Sequence, residues 1–148
     1  LVAGPVRYQV QHRVAQLGLR DQVRFVGPTR CMAQLFCAAD LTVHPTYYDP
    51  ASKVVIESLM MGVPVISTAF DGASELIRDV GSADNGTLGC VLADPADAHG
   101  LAQAMARMID SPRPIDPIQR RQLCQQFAMR RHVDRLERLL ADTAPVAL

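Results

Sequence analysis

A chain of 148 residues with 49 % hydrophobic and 20 % charged side chains has the make-up of one soluble globular domain, long enough to bury a core. Fifteen basic residues balance fifteen acidic ones, so the bulk charge favours neither a nucleic acid nor an acidic polymer as partner. Cys31, Cys37, Cys90 and Cys124 form no Cys-x-x-Cys pair and lack matching histidine spacing, which argues against zinc and against a disulfide scaffold and for reduced thiols in a cytosolic protein.

No apolar run approaches the roughly 18–20 residues of a membrane span, and the start lacks the build of a signal peptide. The chain opens without methionine inside Leu1-Val2-Ala3-Gly4-Pro5, which reads as the tail of a strand entering a loop. A fragment of a longer protein is the expectation.

Val6 to Leu19 then reads as a helix, with Val6, Val10, Val14 and Leu17 at three- and four-residue spacing and Gly18 closing it. Val23 to Val26 is a short strand broken by Gly27-Pro28. Cys31 to Ala39 forms a short helix with Met32, Leu35 and Phe36 inward. Leu41 to His44 is the next strand, and Pro45 together with Tyr47-Tyr48-Asp49-Pro50 stops it. Ser52 is the N-cap of a helix running to Gly62. Val63 to Ser67 is a strand, Ala73 to Arg78 begins a helix behind the Asp71-Gly72 turn, and Leu88 to Leu92 is a further strand. From Ala96 to Ile109 the residues Ala98, Leu101, Ala102, Met105, Met108 and Ile109 mark an amphipathic helix. Alternating strand and helix predicts an α/β fold with a doubly wound parallel sheet.

Residues 1–112 form the expected α/β domain. Ser111 to Pro117 is linker-like, and 113–148 reads as a tail packed on that domain or on a missing one, with Ile118 to Asp142 helical. Between Arg113 and Leu140 the tail has seven arginines against Asp116, Asp134 and Glu137. A solvated helix face explains them, and contact with an anionic membrane surface is the functional alternative.

The stretch from Asp49 to Glu57 carries the chemistry. A helix that starts beyond the C-terminal end of a parallel strand aims free N–H groups and its positive dipole end into the crevice where such folds bind ligands. Glu57 lies about five residues into that helix, roughly 7 Å along its axis, while Asp49 precedes it. A diphosphate over the amides of Ala51, Ser52 and Lys53, in the turn that continues to Val54, therefore has a carboxylate on either side to accept hydroxyl hydrogen bonds. A sugar nucleotide has that shape. Val54, Val55, Ile56, Leu59 and Met60 surround Glu57 with apolar residues, which predicts a largely buried helix and an acid in need of a partner. Lys53, the only lysine, sits where a phosphate contact is expected. His44 and Thr46 lie at the strand end beside the crevice. No His/Cys/Asp cluster has metal-ligand spacing, so no metal is expected.

An acid, seven residues, a glutamate and then Leu59 to Thr68, with Gly62-Val63-Pro64-Val65-Ile66, resembles the signature of family 4 glycosyltransferases. Val23-Arg24-Phe25-Val26-Gly27-Pro28, Ala38 to Thr46 and Asp71-Gly72-Ala73-Ser74-Glu75-Leu76-Ile77 resemble three more of the family's motifs, in the family's order. The His-Pro-x-Tyr flavour leans towards lipopolysaccharide-core glucosyltransferases. The resemblance implies the Rossmann-like, nucleotide-sugar-binding half of a two-domain GT-B fold. It implies a retaining transfer of sugar from a nucleotide diphosphate sugar, a UDP-sugar being favoured, to an acceptor hydroxyl, without a bound cofactor. Asp49 and Glu57 become the catalytic pair. Gly27 and Pro28 border the nucleobase, and Glu75 is a further candidate. The acceptor, a glycan or lipid-linked sugar, would be held by the N-terminal domain, in a cytoplasmic enzyme that is peripheral to the membrane. Aspartate at 49 departs from the family's more usual glutamate, so the preferred sugar stays open. The isolated chain is expected to bind donor without transferring sugar. A catalytically silent nucleotide-sugar-binding module acting with a partner chain is the alternative, whereas a nicotinamide-dependent dehydrogenase is disfavoured because no Gly-x-Gly-x-x-Gly follows a strand.

Overall fold

Strands alternate with helices in the computed structural model, which describes residues 1–81, 88–112 and 115–142. All strand pairs are parallel, and parallel neighbours need long crossovers, which the helices supply. The chain divides into two compact units, Leu1–Leu35 and Phe36–Leu148.

In the first unit β1 (Val2–Ala3) pairs with β2 (Phe25–Gly27), Val2 opposite Phe25 and Ala3 opposite Gly27, around α1 (Tyr8–Gln16). The helix is shorter than the sequence suggests, because Arg7 is extended at φ −69° and ψ 141° and Gly18 turns the chain at φ +69°. Its apolar stripe also stays open. Val10 is 49 % and Leu17 53 % exposed, since two short strands offer too little apolar surface to cover a helix.

α2 (Met32–Cys37) spans the division and contributes the buried Phe36. In the second unit β3 (Thr42–Val43), β4 (Val65–Thr68) and β5 (Gly89–Leu92) lie side by side in that order. Thr42 is opposite Val65, and Val65 is opposite Gly89. Every residue of the central strand β4 is buried, as a parallel strand covered on both faces requires. The helices α3 (Lys53–Met61), α4 (Ser74–Gly81) and α5 (Ala98–Asp110) follow β3, β4 and β5 in turn. Val55, Leu59, Val65, Ala73, Ile77 and Leu88 make the core, and Ile115 and Leu123 complete it from the end of the chain.

The tail is two helices rather than one, α6 (Pro117–Gln126) and α7 (Met129–Asp142), parted at Phe127-Ala128. Neither glycine nor proline stands at the break, and no local signal announces it. α6 starts on Asp116, whose carboxylate accepts from Ile118 N at 2.8 Å, with Pro117 in the first turn where its missing N–H does no harm. It packs on α3: Leu123 is buried, and Arg120 Nε donates to the Met60 carbonyl at 2.7 Å. α7 exposes Met129, Val133, Leu136, Leu139 and Leu140. No helix among the described residues is long and apolar enough to cross a membrane.

Candidate functional site

The helix that carries Glu57 begins and ends where its caps dictate. Ser52 is extended at φ −62° and ψ 114°, and its Oγ accepts from Val55 N at 3.4 Å. Gly62 closes the helix in the left-handed region at φ +85°, with its N–H returned to the Leu59 carbonyl. Ser58 ties α3 down from its buried side, with Oγ 2.8 Å from Thr42 Oγ1 and 3.1 Å from the Val63 carbonyl. The N-terminus of α3 thereby sits past the end of β3, beside the loop that leaves β4.

The amides at this end are not all free. Ala51 N–H donates to Asp49 Oδ1 at 3.1 Å and Ser52 N–H donates to Asp71 Oδ1 at 3.3 Å. Val55 N–H goes to Ser52 Oγ and Ile56 N–H to the Ser52 carbonyl. Among the described residues no acceptor takes the N–H of Lys53 or Val54. Of the expected cradle Ala51, Ser52, Lys53 and Val54, the first two amides are thus engaged within the chain, and the two unpaired donors are those of Lys53 and Val54, where the dipole adds its positive end.

Asp49 faces two ways. Oδ1 holds the Ala51 amide, and Oδ2 lies 3.4 Å from His44 Nε2 at the end of β3, close enough for attraction to a protonated imidazole but not aligned as a hydrogen bond. Its backbone continues the sheet past the strands, since Asp49 N–H donates to the Phe70 carbonyl at 3.2 Å and Gly72 N–H to the Asp49 carbonyl at 2.9 Å. Thr46 sits in the same polar rim, where its carbonyl accepts from Thr68 Oγ1 at 2.6 Å and its Oγ1 from Tyr48 N at 3.3 Å.

Glu57 overturns one expectation: its side is exposed rather than buried. Val55, Ser58 and Leu59 turn inward, whereas Lys53 and Glu57, four residues apart, share the open face. Apolar residues flank Glu57 on both sides, yet only one side of the helix is covered. Glu57 and Lys53 are thus available to a ligand, and Asp49 is one-third exposed beside them. Glu75 is exposed in the first turn of α4. Gly27 ends β2 in the first unit at φ +69°, a conformation glycine tolerates, and Pro28 follows it. Asp71 stands behind this site without a sequence signal of its own. The Asp71-Gly72 pair signals a turn, but nothing local shows that its carboxylate is 1 % exposed and bonded to the start of α3.

Among the described residues no group of three or more His, Cys, Asp or Glu is placed to hold a metal ion.

The family model for glycosyl transferases group 1 matches residues 1–111. The lipopolysaccharide glucosyltransferase WaaG of Escherichia coli is 31 % identical over 94 residues, 64 % of this chain and 24 % of WaaG. Sucrose-phosphate synthase from Thermosynechococcus elongatus superposes with a TM-score of 0.74 at 28 % identity, over 92 % of this chain and 34 % of the synthase. The Anabaena protein HepE, solved with UDP, shares the fold at a TM-score of 0.78 and 22 % identity, over 95 % of this chain and 40 % of HepE. The chain thus spans about a quarter to two-fifths of the length of these proteins. Its parallel strands and intervening helices are those of a fragment of the GT-B glycosyltransferases. By the match over residues 1–111 the chain belongs to the group 1 glycosyltransferases.

Proposed function

We propose that this chain is the donor-binding part of a retaining glycosyltransferase that moves a sugar from a nucleoside diphosphate sugar, a UDP-sugar in the favoured case, to an acceptor hydroxyl. The observation that carries it is the start of α3, where the unpaired amides of Lys53 and Val54 stand between the carboxylates of Asp49 and Glu57. The Lys53 and Val54 amides take diphosphate oxygens, and the Lys53 ammonium adds a compact positive charge. Glu57 accepts from ribose hydroxyls and Asp49 from hydroxyls of the donor sugar.

During transfer the bond between the anomeric carbon and the diphosphate oxygen breaks, and the acceptor oxygen forms the new bond on the same face of the ring while its proton passes to the departing phosphate. The negative charge that develops on the departing oxygen meets N–H donors already aligned by the helix, so little reorganisation is needed at the moment of reaction. The acceptor, a glycan or lipid-linked sugar, is bound by sequence outside these 148 residues. The arginines of α7 suit a peripheral, cytoplasmic-face membrane contact that brings a lipid-linked acceptor within reach.

Calorimetric titration with UDP, GDP and ADP should show that the chain binds one nucleoside diphosphate weakly. Incubation with radiolabelled UDP-glucose and acceptor should show no transfer by this chain beside turnover by the full-length protein. One wall of the cleft stays in water in the isolated chain, and the attacking hydroxyl is not held in line. Transfer by the isolated chain within about tenfold of the full-length protein would place the acceptor half of the site inside these residues and sink the proposal, because the large advantage of positioning should be missing. Binding without transfer in both would favour the silent module.

Nucleotide affinity should be the same in EDTA as in magnesium. A loss in EDTA that magnesium or manganese restores would reveal a metal contact this reading lacks.

A further inference from the structure

We propose that Asp71 is a positioning residue for donor binding: its buried carboxylate fixes the start of α3, and with it the two amides that meet the diphosphate. This rests on the donor-site reading above. Asp71 is 1 % exposed, so it does not touch a ligand in the crevice. Its oxygens are spent on three parts of the fold. Oδ1 accepts from Ser52 N at 3.3 Å and from Ala73 N at 2.9 Å, and Oδ2 accepts from Ser67 Oγ at 2.7 Å. One side chain thus joins the cap residue of α3, the entry to α4 and the central strand β4.

The backbone runs the same way. Gly72 N–H donates to the Asp49 carbonyl, and a Cβ at Gly72 would be driven into the Pro50 carbonyl, so the two loops lie too close for any side chain between them. A buried carboxylate is costly unless its lone pairs are met, and among the described residues Asp71 has no ion pair. Three neutral donors meet them instead. Accepting from Ser52 also removes that amide from the donors a phosphate can use, which leaves Lys53 and Val54 as the pair on offer.

Asp71→Ser separates the roles. Serine can still bond the Ala73 amide in a local turn, but it is one bond too short to reach Ser52 as well. Asp71→Asn keeps an oxygen for both amides and offers its NH₂ to Ser67 Oγ. Each variant, with folding checked by circular dichroism, is titrated with UDP, GDP and ADP and with the matching nucleosides. Asp71→Ser should weaken the nucleoside diphosphate by about tenfold or more and the nucleoside by less than about twofold, while Asp71→Asn stays within about threefold of wild type for both. Equal losses for diphosphate and nucleoside, or no loss for either, overturn the proposal while leaving the donor site standing. Should Asp71→Ser fail to fold, Ser67→Ala carries the test, with a smaller but equally diphosphate-selective loss expected and a parallel or absent loss overturning it. A wild-type protein that binds no diphosphate better than its nucleoside overturns the donor-site reading, and this proposal with it.

Discussion

Glu57→Gln should leave the fold intact and weaken nucleoside diphosphate binding by roughly 1.5–3 kcal/mol, the range for a hydrogen bond to a charged group. The side chain is exposed on α3 and makes no hydrogen bond or ion pair within the described residues, so removing its charge disturbs no packing. Thermal unfolding should therefore be unchanged while calorimetry reads about a tenfold to hundredfold rise in Kd. Asp49→Asn behaves differently in kind, because Oδ1 also holds the Ala51 amide and Oδ2 faces His44. Equal affinity of Glu57→Gln and wild type for the bound nucleotide would remove Glu57 from the site.

Gly89→Ala should have the largest effect on stability. Gly89 begins β5 opposite Val65, and a Cβ there would run into the Val65 carbonyl and backbone of the central strand. The obstacle is main chain in the middle of the sheet, so no side chain can swing aside. Relief requires prising β5 from β4, at a cost of about 3 kcal/mol or more. For a chain of this size that lowers Tm by roughly 6–12 °C. A variant that melts within a degree or two of wild type would show that the two strands part easily. The turn bearing Asp71 leaves the end of β4, so nucleotide affinity should fall with stability here, unlike in Glu57→Gln.

The legible parts of the chain are those whose signals are local. Ser52 and Gly62 announce α3 to the residue, because a cap and a left-handed glycine act within one helical turn. Strand limits are displaced by one or two residues: β4 runs Val65–Thr68 where the apolar run begins at Val63, because hydrogen bonding to neighbours sets a strand's ends. The exposure of Glu57 was not legible, since Val54, Ile56 and Met60 are apolar yet only half-buried, and composition cannot say which side of a helix is covered. Asp71 was illegible for a related reason. Its partner Ser52 is 19 residues away, and only the crossing of two loops at the sheet edge brings them together. The pattern of apolar residues predicts which elements form, while loops at a sheet edge decide which polar atoms remain for a ligand.

The contact between Arg120 and the Met60 carbonyl has a consequence in time. The two residues are 60 apart, and Arg120 also lies against Gly62, so the C-terminal end of α3 is closed by a helix made much later. At synthesis rates of about 5–20 residues per second, roughly 3–12 s separate the emergence of Met60 from that of Arg120. For most of that interval Ile115, and for all of it Leu123, is also absent from the core that α3 helps to form. A nascent chain already bearing Asp49, Glu57 and the β3–β4 pairing therefore exposes one apolar side of its central helix until α6 arrives. That interval is a window for chaperone capture, and truncations that stop before Leu123 should partition to aggregates on the ribosome's timescale.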